Sequence, residues 1–470
     1  MKTLKKSYSW KKALNEIWKL NRVHVSSEMS FGYRLLKKYY KGLKIFGYKT
    51  GQICSGWVIP PSWDVKKAIL KDPSGKKLAD WKKNKLSLWT YSPSFKGKVE
   101  KKQLLKKIVS NPKKPNVTIF HFRNQYNFWK ADWGFSLPHK VCKRLKNGKY
   151  DVDIETSSGN GKLEMVEQEH KGKFKDSLLF VGHFDHPQMC LDGLVGCLAG
   201  HEVISRLKNM KTNLTYRMLS TVEIIGSVFY AKYHAKKKKV RQALFVATPG
   251  APKNLHYQFS FSKNNAIDRV SVHAIKYLED NFKTHSFRKG PLRNDESAFD
   301  VGGVHIPCGS IMRAPHETYH TDEDTPGGVS SAKFENTILV LQEIIYILEK
   351  NSILKRKFFG LPRLSSKKNN LYLSSPNISG VIKKYKIDDQ LVKGMPKKMI
   401  KYLYKNQQKL NDLMNALPNM CEGNYTVLDV AEFVGLPFRL VNNYVDMWVN
   451  KNLIKKVWAH PFKKSEQKNI

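Results

Sequence analysis

The chain has 470 residues, of which 83 are lysine or arginine and 39 are aspartate or glutamate, so its formal net charge is +44. Hydrophobic residues make up 41% and aromatic residues 11% of the chain, which excludes a wholly disordered protein, and the length predicts two or three domains. No run of eighteen apolar residues occurs, so no membrane span is predicted. The start of the chain is basic, but Trp10 interrupts what would have to be the apolar core of a signal peptide. This start and six scattered cysteines predict a cytoplasmic protein with reduced thiols.

The excess of basic residues has two interpretations. It could attract a polyanion such as nucleic acid, an anionic membrane surface or an acidic glycan. It could equally reflect a lysine-rich composition that is spread over every exposed face. Because lysine far outnumbers arginine, and proteins that read bases and phosphates rely on arginine forks, nucleic acid is the less favoured partner.

The first 130 residues divide into two segments of different character. Residues 1–50 carry apolar side chains at helical spacing and are predicted to be helical. From Val58 to Phe122, proline-rich and turn-forming sequence separates short alternating runs, which indicates a small β-rich insert. Within this insert, Val99 to Ile108 is predicted to form one helix.

From Trp133 onward, short apolar strands alternate with longer helical stretches, which predicts an α/β fold with a mixed sheet covered by helices. A polar linker is predicted at 355–375, and Thr426 to Ile454 resembles a helix-turn-helix or winged helix. The predicted domains are an α/β domain (1–57 and 125–355), a β-rich insert (58–124) and a winged-helix-like domain (376–470). The predicted strands are Leu178–Val181, Tyr216–Leu219, Ala243–Val246 and Cys308–Met312, and the predicted helices are Leu194–Leu207, Ser227–Lys236 and Ala332–Glu349.

Polar side chains cluster where three of these strands end. The first strand runs into Gly182-His183-Phe184-Asp185-His186, and Asp192 follows at the start of a helix. The second strand runs into Glu223, and the last runs into a segment that ends at His320. In open α/β sheets this edge is where ligands bind. Histidine, aspartate and glutamate arriving there from separate segments are the ligands that zinc prefers in a hydrolytic site.

Each of these residues alone has an ordinary structural explanation. A lone histidine at a strand end is more often a hydrogen-bonded structural residue. Glu223 could simply favour the start of the following helix, and the H-x-D spacing of His183 and Asp185 occurs often by chance. The occurrence of all of them, in this order and at one predicted edge, favours a metal site.

The order of these motifs resembles the zinc aminopeptidase superfamily of bacterial leucyl aminopeptidases and glutaminyl cyclases. It is more closely similar to a bacterial family of aminopeptidase-like proteins that is often encoded with surface-polysaccharide genes. That family has an aminopeptidase-like domain, a small β-rich insert and a C-terminal winged helix. The segments that carry the resemblance are Val58–Trp63, Trp133–Ser136, His186–Met189, Val222–Ser227, Asn294–Glu296 and Tyr319–Thr321.

The resemblance implies a role for each matching residue. One glutamate would be the general base, taking a proton from metal-bound water whose pKa zinc lowers to about 7. One aspartate would orient a metal-bound imidazole. The implied roles are metal ligand for His183, Asp192 and His320, general base for Glu223, imidazole orientation for Asp185, and metal or substrate contact for His186, Asp295 and Glu296.

The chain also departs from the superfamily at positions that hold metal. The aminopeptidases have a Glu-Glu pair where Glu223 is followed by Ile224, and an aspartate ligand beyond the third strand where this chain has Thr248. Threonine is a poor zinc ligand. The departures imply one zinc ion rather than two.

The resemblance therefore implies a zinc-dependent hydrolase of the aminopeptidase type, acting on a small peptide, amide or N-acyl-sugar-like substrate. The same scaffold supports intramolecular aminolysis in glutaminyl cyclases. The alternative is a catalytically decayed scaffold that binds nucleic acid or another polyanion through its basic surface and winged helix. Metal content separates the two hypotheses, and the sequence leaves homo-oligomerisation open.

Overall fold

The computed structural model describes residues 9–373 and 387–462. The described residues divide into two compact units, a larger unit that comprises residues 9–262 and 283–338, and a smaller unit that comprises residues 263–282, 339–373 and 387–462. The helices are α1 (Ser9–Ile17), α2 (Ser27–Tyr39), α3 (Lys101–Leu105), α4 (Arg123–Tyr126), α5 (His139–Cys142), α6 (Leu194–Arg206), α7 (Ile225–Tyr230), α8 (Ala266–Leu278), α9 (Glu296–Phe299), α10 (Ser331–Lys350), α11 (Lys397–Lys405), α12 (Lys409–Ala416), α13 (Val427–Val434) and α14 (Phe438–Asn450). The strands are β1 (Leu43–Lys49), β2 (Ile53–Cys54), β3 (Trp57–Val58), β4 (Ser62–Lys71), β5 (Lys77–Asp80), β6 (Phe95–Glu100), β7 (Ile108–Val109), β8 (Phe135–Ser136), β9 (Lys149–Gly159), β10 (Lys162–His170), β11 (Ser177–His183), β12 (Thr215–Thr221), β13 (Val240–Ala247), β14 (Leu255–Gln258), β15 (Lys283–His285), β16 (Cys308–Arg313), β17 (Ser352–Arg356), β18 (Glu422–Thr426) and β19 (Ile454–Trp458).

An eight-stranded mixed sheet forms the centre of the larger unit, with the strand order β1-β10-β12-β11-β13-β16-β14-β15. Strands β12, β11, β13 and β16 run parallel to one another, whereas β1 and β10 are antiparallel at one edge. All residues of β11, β12 and β16 are buried, as expected of parallel strands that helices cover. The predicted fold class, a mixed sheet covered by helices, is confirmed.

The elements predicted from short apolar runs and helical periodicity are present in the main sheet and its helices. Strands β11, β12, β13 and β16 contain the four predicted strands, and α6 and α10 match the predicted helices to within a residue or two. The predicted helix Ser227–Lys236 begins two residues earlier as α7, which ends at Tyr230 and continues as a π-helical turn over Ala231–Ala235.

Two predicted helical segments are wrong. Residues 43–49 are not helical. Helix α2 ends at Tyr39, where Tyr40 is extended, a turn with Gly42 at φ +78° follows, and the next residues pair with β10 as strand β1. The predicted helix from Val99 to Ile108 is also replaced. Val99 pairs with Tyr150 in a sheet, and only α3 between Val99 and Ile108 is helical. Strand pairing with distant residues has overridden the local helical pattern in both places.

The insert contains a four-stranded antiparallel sheet with the order β5-β4-β9-β6. Its core is aromatic, and Trp63, Trp81 and Tyr150 are buried in it. The insert was predicted to end at residue 124, yet β9 (Lys149–Gly159) lies between β4 and β6. Strand β9 begins some fifty residues after β6 ends, so nothing in the sequence near residue 124 indicates that the chain later returns to this sheet.

The smaller unit contains the antiparallel sheet β18-β17-β19 and the helices α11 to α14. Arg439 of α14 is buried and pairs with Glu343 of α10. The residues of α14 that were predicted to be core are buried, namely Val441, Tyr444, Val445 and Trp448. The winged helix stays a prediction, and its residues 376–386 and 463–470 lie outside the described residues. None of the described helices has the length and apolar character to cross a membrane.

Candidate metal centre

The predicted site residues follow the carboxyl ends of parallel strands. Strand β11 ends at His183, and Asp192 precedes α6 by two residues. Glu223 lies two residues beyond β12, and His320 lies seven residues beyond β16. Because these strands are parallel, their carboxyl ends meet at one edge of the sheet, and the structure brings the four side chains together there.

Asp192 lies between two histidines. One carboxylate oxygen, Oδ1, is 3.0 Å from His183 Nε2, and the other, Oδ2, is 2.9 Å from His320 Nε2. The backbone amide of Asp192 donates to Asp324 Oδ2 at 3.0 Å, which fixes the turn before α6. The next residue is Gly193 at φ +110°, where a Cβ would collide with the imidazole of His183. Only glycine therefore allows this approach of Asp192 to His183.

His186 completes the cluster. His183, His186 and Asp192 are all buried, and each offers one ligand atom within 4.8 Å of the other two. The ring of His186 lies between two others, with its centroid 5.0 Å from that of His183 and 5.4 Å from that of His320. The structure thus places His186, which was predicted to contact metal or substrate, beside the predicted ligands His183 and Asp192.

The protonation states of the clustered side chains depend on burial and on their contacts with one another. Burial lowers the pKa of His186 to about 4, so its imidazole is neutral and able to coordinate. Burial alone would lower the pKa of His183, but its contacts with Asp192 and Asp295 raise that pKa well above the ordinary value. Burial would raise the pKa of Asp192, yet the three neighbouring imidazoles outweigh it and hold that pKa well below the ordinary value. Asp192 is therefore a carboxylate, the form that binds metal.

Glu223 is held at the rim of the cluster by contacts to both carboxylate oxygens. Its Oε2 accepts a hydrogen bond from the Tyr126 hydroxyl at 2.8 Å and lies 3.7 Å from His186 Nε2. Its Oε1 accepts from the side-chain amide of Asn294. Burial raises the pKa of Glu223, but its interactions with His186 and His183 outweigh burial and lower that pKa. Glu223 is thus an ionised carboxylate with a fixed orientation, as a general base requires.

The role implied for Asp185 is not supported by its contacts. His183 Nδ1 lies 3.2 Å from Asp295 Oδ2, so Asp295 is the carboxylate that orients this imidazole. Asp185 Oδ1 instead accepts from the backbone amide of Glu223 at 2.8 Å, and its Oδ2 lies 3.5 Å from His24 Nε2. The difference arises because β11 ends at His183, so Asp185 lies in a loop that turns toward the end of β12.

Glu296 lies outside the metal cluster. It is buried, and its carboxylate accepts from Gln258 Nε2 at 3.0 Å and from the backbone amide of Asn294 at 2.8 Å. These contacts fix the loop that carries Asn294 and Asp295. Of the two acidic residues predicted to contact metal or substrate, only Asp295 reaches a predicted ligand.

Several residues that shape the site were not identified from the sequence. Arg22 is fully buried, and its guanidinium donates to the carbonyl oxygens of Phe184 at 2.8 Å and Met189 at 2.7 Å. The amide of His186 in turn donates to the Arg22 carbonyl at 2.8 Å. Arg22 therefore fixes the loop that carries His186. Tyr126 lies close to the predicted end of the insert, where no motif pointed to a role in the site.

The insert also contributes to the site. Ile119 and Thr321 form an antiparallel bridge, and the amide of Phe120 donates to the His320 carbonyl at 2.9 Å. The rings of Phe120 and Phe122 make edge-to-face contacts with the His320 imidazole, at centroid distances of 5.5 and 5.3 Å. The loop that carries His320 is thus held against the insert by both backbone and aromatic contacts.

The donor set fits a zinc ion. Within the described residues, Asp192 Oδ2, His320 Nε2 and His186 Nδ1 are buried without a hydrogen-bond partner. The first two atoms are only 2.9 Å apart, but they are not aligned for a hydrogen bond. Unpaired buried polar atoms are costly, and a cation among them would satisfy these groups. Imidazole nitrogens and a carboxylate are ligands that zinc prefers.

The main domain matches a known family, and related proteins cover most of the chain. The sequence profile of the family described as "Domain of unknown function (DUF4910)" matches residues 11–351. A Clostridium acetobutylicum protein, whose name describes a polysaccharide biosynthesis protein with an aminopeptidase-like domain, is 26% identical over 427 residues. This alignment covers 88% of the present chain and 89% of that protein.

Solved structures show the same fold. A crystal structure of a protein named as a peptidase from Clostridium acetobutylicum matches with a TM-score of 0.81 at 22% identity, over 96% of both chains. The zinc aminopeptidase of Bacillus subtilis matches with a TM-score of 0.52 at 12% identity, over 72% of this chain and 95% of that one. The larger unit thus has an aminopeptidase-like fold, and the chain belongs to the DUF4910 family.

Proposed function

We propose that the protein is a zinc-dependent hydrolase that cleaves an amide or N-acyl bond. The observation that carries this proposal is the position of Glu223, an ionised carboxylate that lies 3.7 Å from His186 Nε2, at the rim of a buried cluster of zinc-type ligands. Such a pairing of a fixed base with metal ligands is what hydrolysis of an unreactive amide requires. We assign His183, Asp192 and His320 as ligands, with His186 as a fourth donor.

The residues of the chain have separate tasks in this mechanism. When bound, a zinc ion would supply Lewis acidity to the amide carbonyl and acidity to a coordinated water molecule. Glu223 accepts the proton of the attacking water at one carboxylate oxygen and returns it to the leaving nitrogen. Tyr126 and Asn294 hold that carboxylate in one orientation, and Asp295 does the same for His183.

The substrate class is part of the proposal. Aminopeptidase-like proteins with this fold act at peptide bonds, and the name of the Clostridium relative places it in polysaccharide biosynthesis. We therefore propose a small peptide, amide or N-acyl-sugar-like substrate. All six cysteines are free, and five of them are buried, which supports a reducing compartment such as the cytoplasm.

The proposal is tested on the purified full chain by metal analysis together with a substrate panel. The panel contains aminoacyl anilides, short peptides, N-acetyl-sugars and an N-terminal glutamine peptide for cyclisation. We expect about one zinc ion per chain and turnover of at least one amide that stops on chelation and returns with added zinc. A protein that binds no divalent metal at micromolar concentration would refute the proposal.

The Tyr126→Phe variant tests the orientation of the base. Loss of the hydrogen bond to Glu223 should lower kcat roughly tenfold or more, with little change in KM and an unchanged zinc content. The Tyr126 hydroxyl lowers the pKa of Glu223, so the variant should protonate Glu223 at higher pH and move the acid limb of kcat/KM upward.

Steady-state kinetics across pH on the best panel substrate measure both effects. Tyr150→Phe is the matched control, because the Tyr150 hydroxyl donates to the Lys146 carbonyl in the insert and lies outside the site. If Tyr126→Phe retained the kcat and pH profile of the unmodified protein, Tyr126 would have no part in orienting Glu223.

A further inference from the structure

A basic cleft of about 940 Å³ opens on the surface of the larger unit. Five cationic side chains line it, namely Lys232, Lys236, Lys239, Arg241 and Arg288, and all five are exposed. No aspartate or glutamate is among the described residues that line it. The cleft therefore combines concave shape with a single sign of charge, which raises the local concentration of anions.

Three of the cations come from one segment. Lys232 lies in the π-helical turn over Ala231–Ala235 that continues α7, Lys236 caps that turn, and Lys239 lies in the following turn before β13 with a left-handed backbone (φ +49°). All three line the same cleft. Like charges that line one cleft repel one another, so their convergence there needs an explanation other than local stability.

Most of the cleft cations differ from Lys238, the lysine that precedes Lys239, in having no carboxylate partner. Lys238 has a carboxylate partner, since its Nζ lies 2.7 Å from Glu167 Oε2, and Arg241 pairs with Asp176. Lys236, Lys239 and Arg288 have no ion-pair partner in the part of the chain that the structure describes, and the same holds for Lys232. Four positive charges in the cleft are therefore left for an external anion.

The cleft also has apolar lining. Val228, Ala231 and Val240 contribute from the segment that carries the lysines, and Val301 and Ile306 contribute from the segment between α9 and β16. A small inorganic anion alone would leave this surface uncovered. The lining thus suits a ligand with an anionic group for the basic residues and an uncharged part for the apolar wall.

We propose that this cleft binds a phosphate ester or diphosphate whose remaining part is uncharged and packs on the apolar wall. Lysine acts as a point charge with three donors and Arg288 adds a guanidinium fork, whereas a phosphate offers up to two negative charges and three acceptor oxygens in a small volume. A diphosphate can therefore contact several of these cations at once, more compactly than a polycarboxylate of the same charge. Ile224, which lines the cleft, directly follows Glu223 in the chain. The phosphate site does not depend on the proposed hydrolase function.

The test uses calorimetric titration of the full chain with inorganic pyrophosphate, and with citrate as a carboxylate of comparable charge. The double variant Lys236→Gln/Arg288→Gln should bind pyrophosphate at least about 100-fold more weakly, roughly tenfold for each cation removed. The matched control Lys96→Gln/Lys98→Gln removes the same charge from exposed residues of the insert and should bind within about twofold of the unmodified protein. Circular dichroism and thermal melting confirm that both variants are folded.

Three results of the calorimetric titration would overturn the proposal. The first is the absence of pyrophosphate binding by the unmodified protein, and the second is equal binding by the cleft variant, which would place the anion elsewhere, including on a bound metal. The third is citrate binding as tight as that of pyrophosphate.

A second arm identifies the source of the phosphate. Cleft-dependent binding to vesicles that contain phosphatidic acid would assign a lipid head group, whereas binding of soluble pyrophosphate without vesicle binding would assign a free phosphate ligand. Cleft-dependent binding of a single-stranded oligonucleotide that is tighter than pyrophosphate binding would overturn the proposal in favour of nucleic acid.

Discussion

The Asp192→Asn variant is expected to lose its zinc, with a metal affinity at least about 100-fold below that of the unmodified protein. Both oxygens of Asp192 face imidazoles, at 3.0 Å from His183 and 2.9 Å from His320. Asparagine removes the negative charge and replaces one of the two oxygens by an amide group that cannot coordinate. Hydrolysis should be lost together with the metal.

Zinc analysis after dialysis against a chelator series measures this effect. Asp153→Asn, which removes a carboxylate that pairs with Lys67 in the insert, is the matched control and should keep full zinc content. Unchanged zinc affinity in Asp192→Asn would contradict the ligand assignment. The unmodified protein also tests the predicted stoichiometry, since two zinc ions per chain would replace the prediction of one.

The Glu223→Gln variant should keep its zinc and lose turnover by about 10²- to 10⁴-fold, because glutamine is nearly the same size but cannot accept the proton of water. KM should change little, since Glu223 is not assigned to substrate binding. The measurement is kcat on the best panel substrate, with zinc content determined on the same sample. Glu155→Gln, an exposed carboxylate of the insert, controls for the loss of one negative charge.

The outcome of this experiment separates the two functional hypotheses. If Glu223→Gln retained turnover, Glu223 would not be the base. If the unmodified protein bound zinc but turned over no amide in the panel, the alternative of a decayed scaffold would gain support. Metal content and turnover therefore have to be measured together.

The sequence was sufficient to predict the four central parallel strands of the main sheet, because they are short, mostly apolar and wholly or largely buried, and helices lie between them in the chain. Buried parallel strands have this pattern wherever helices cover both faces of a sheet. The same pattern located the site, because polar residues that interrupt it at strand ends must gather at one edge. For this reason His183, Asp192, Glu223 and His320 could be placed together in advance.

The parts that could not be predicted depend on contacts between distant segments. Strand β1 follows a helix without a break in hydrophobic spacing, and β9 returns to the insert after a long excursion. Asp185 was predicted to orient a metal-bound imidazole, but the carboxylate that contacts His183 is Asp295, from a loop more than a hundred residues later. The hydroxyl of Tyr126 likewise contacts Glu223 from a distant segment of the chain.

The attachment of the His320 loop to the insert affects how the chain can be divided. Asp322 accepts from the Thr118 amide at 3.0 Å, close to the bridge between Ile119 and Thr321, so this loop is tied to the insert along several residues. A shortened chain that lacks residues 58–124 would lose one wall of the metal centre rather than an accessory module. The His320 loop would then keep its contact through Asp324 with the amides of Leu191 and Asp192 but lose its contacts with the insert. The ability to retain zinc would therefore depend in part on a segment that supplies no ligand.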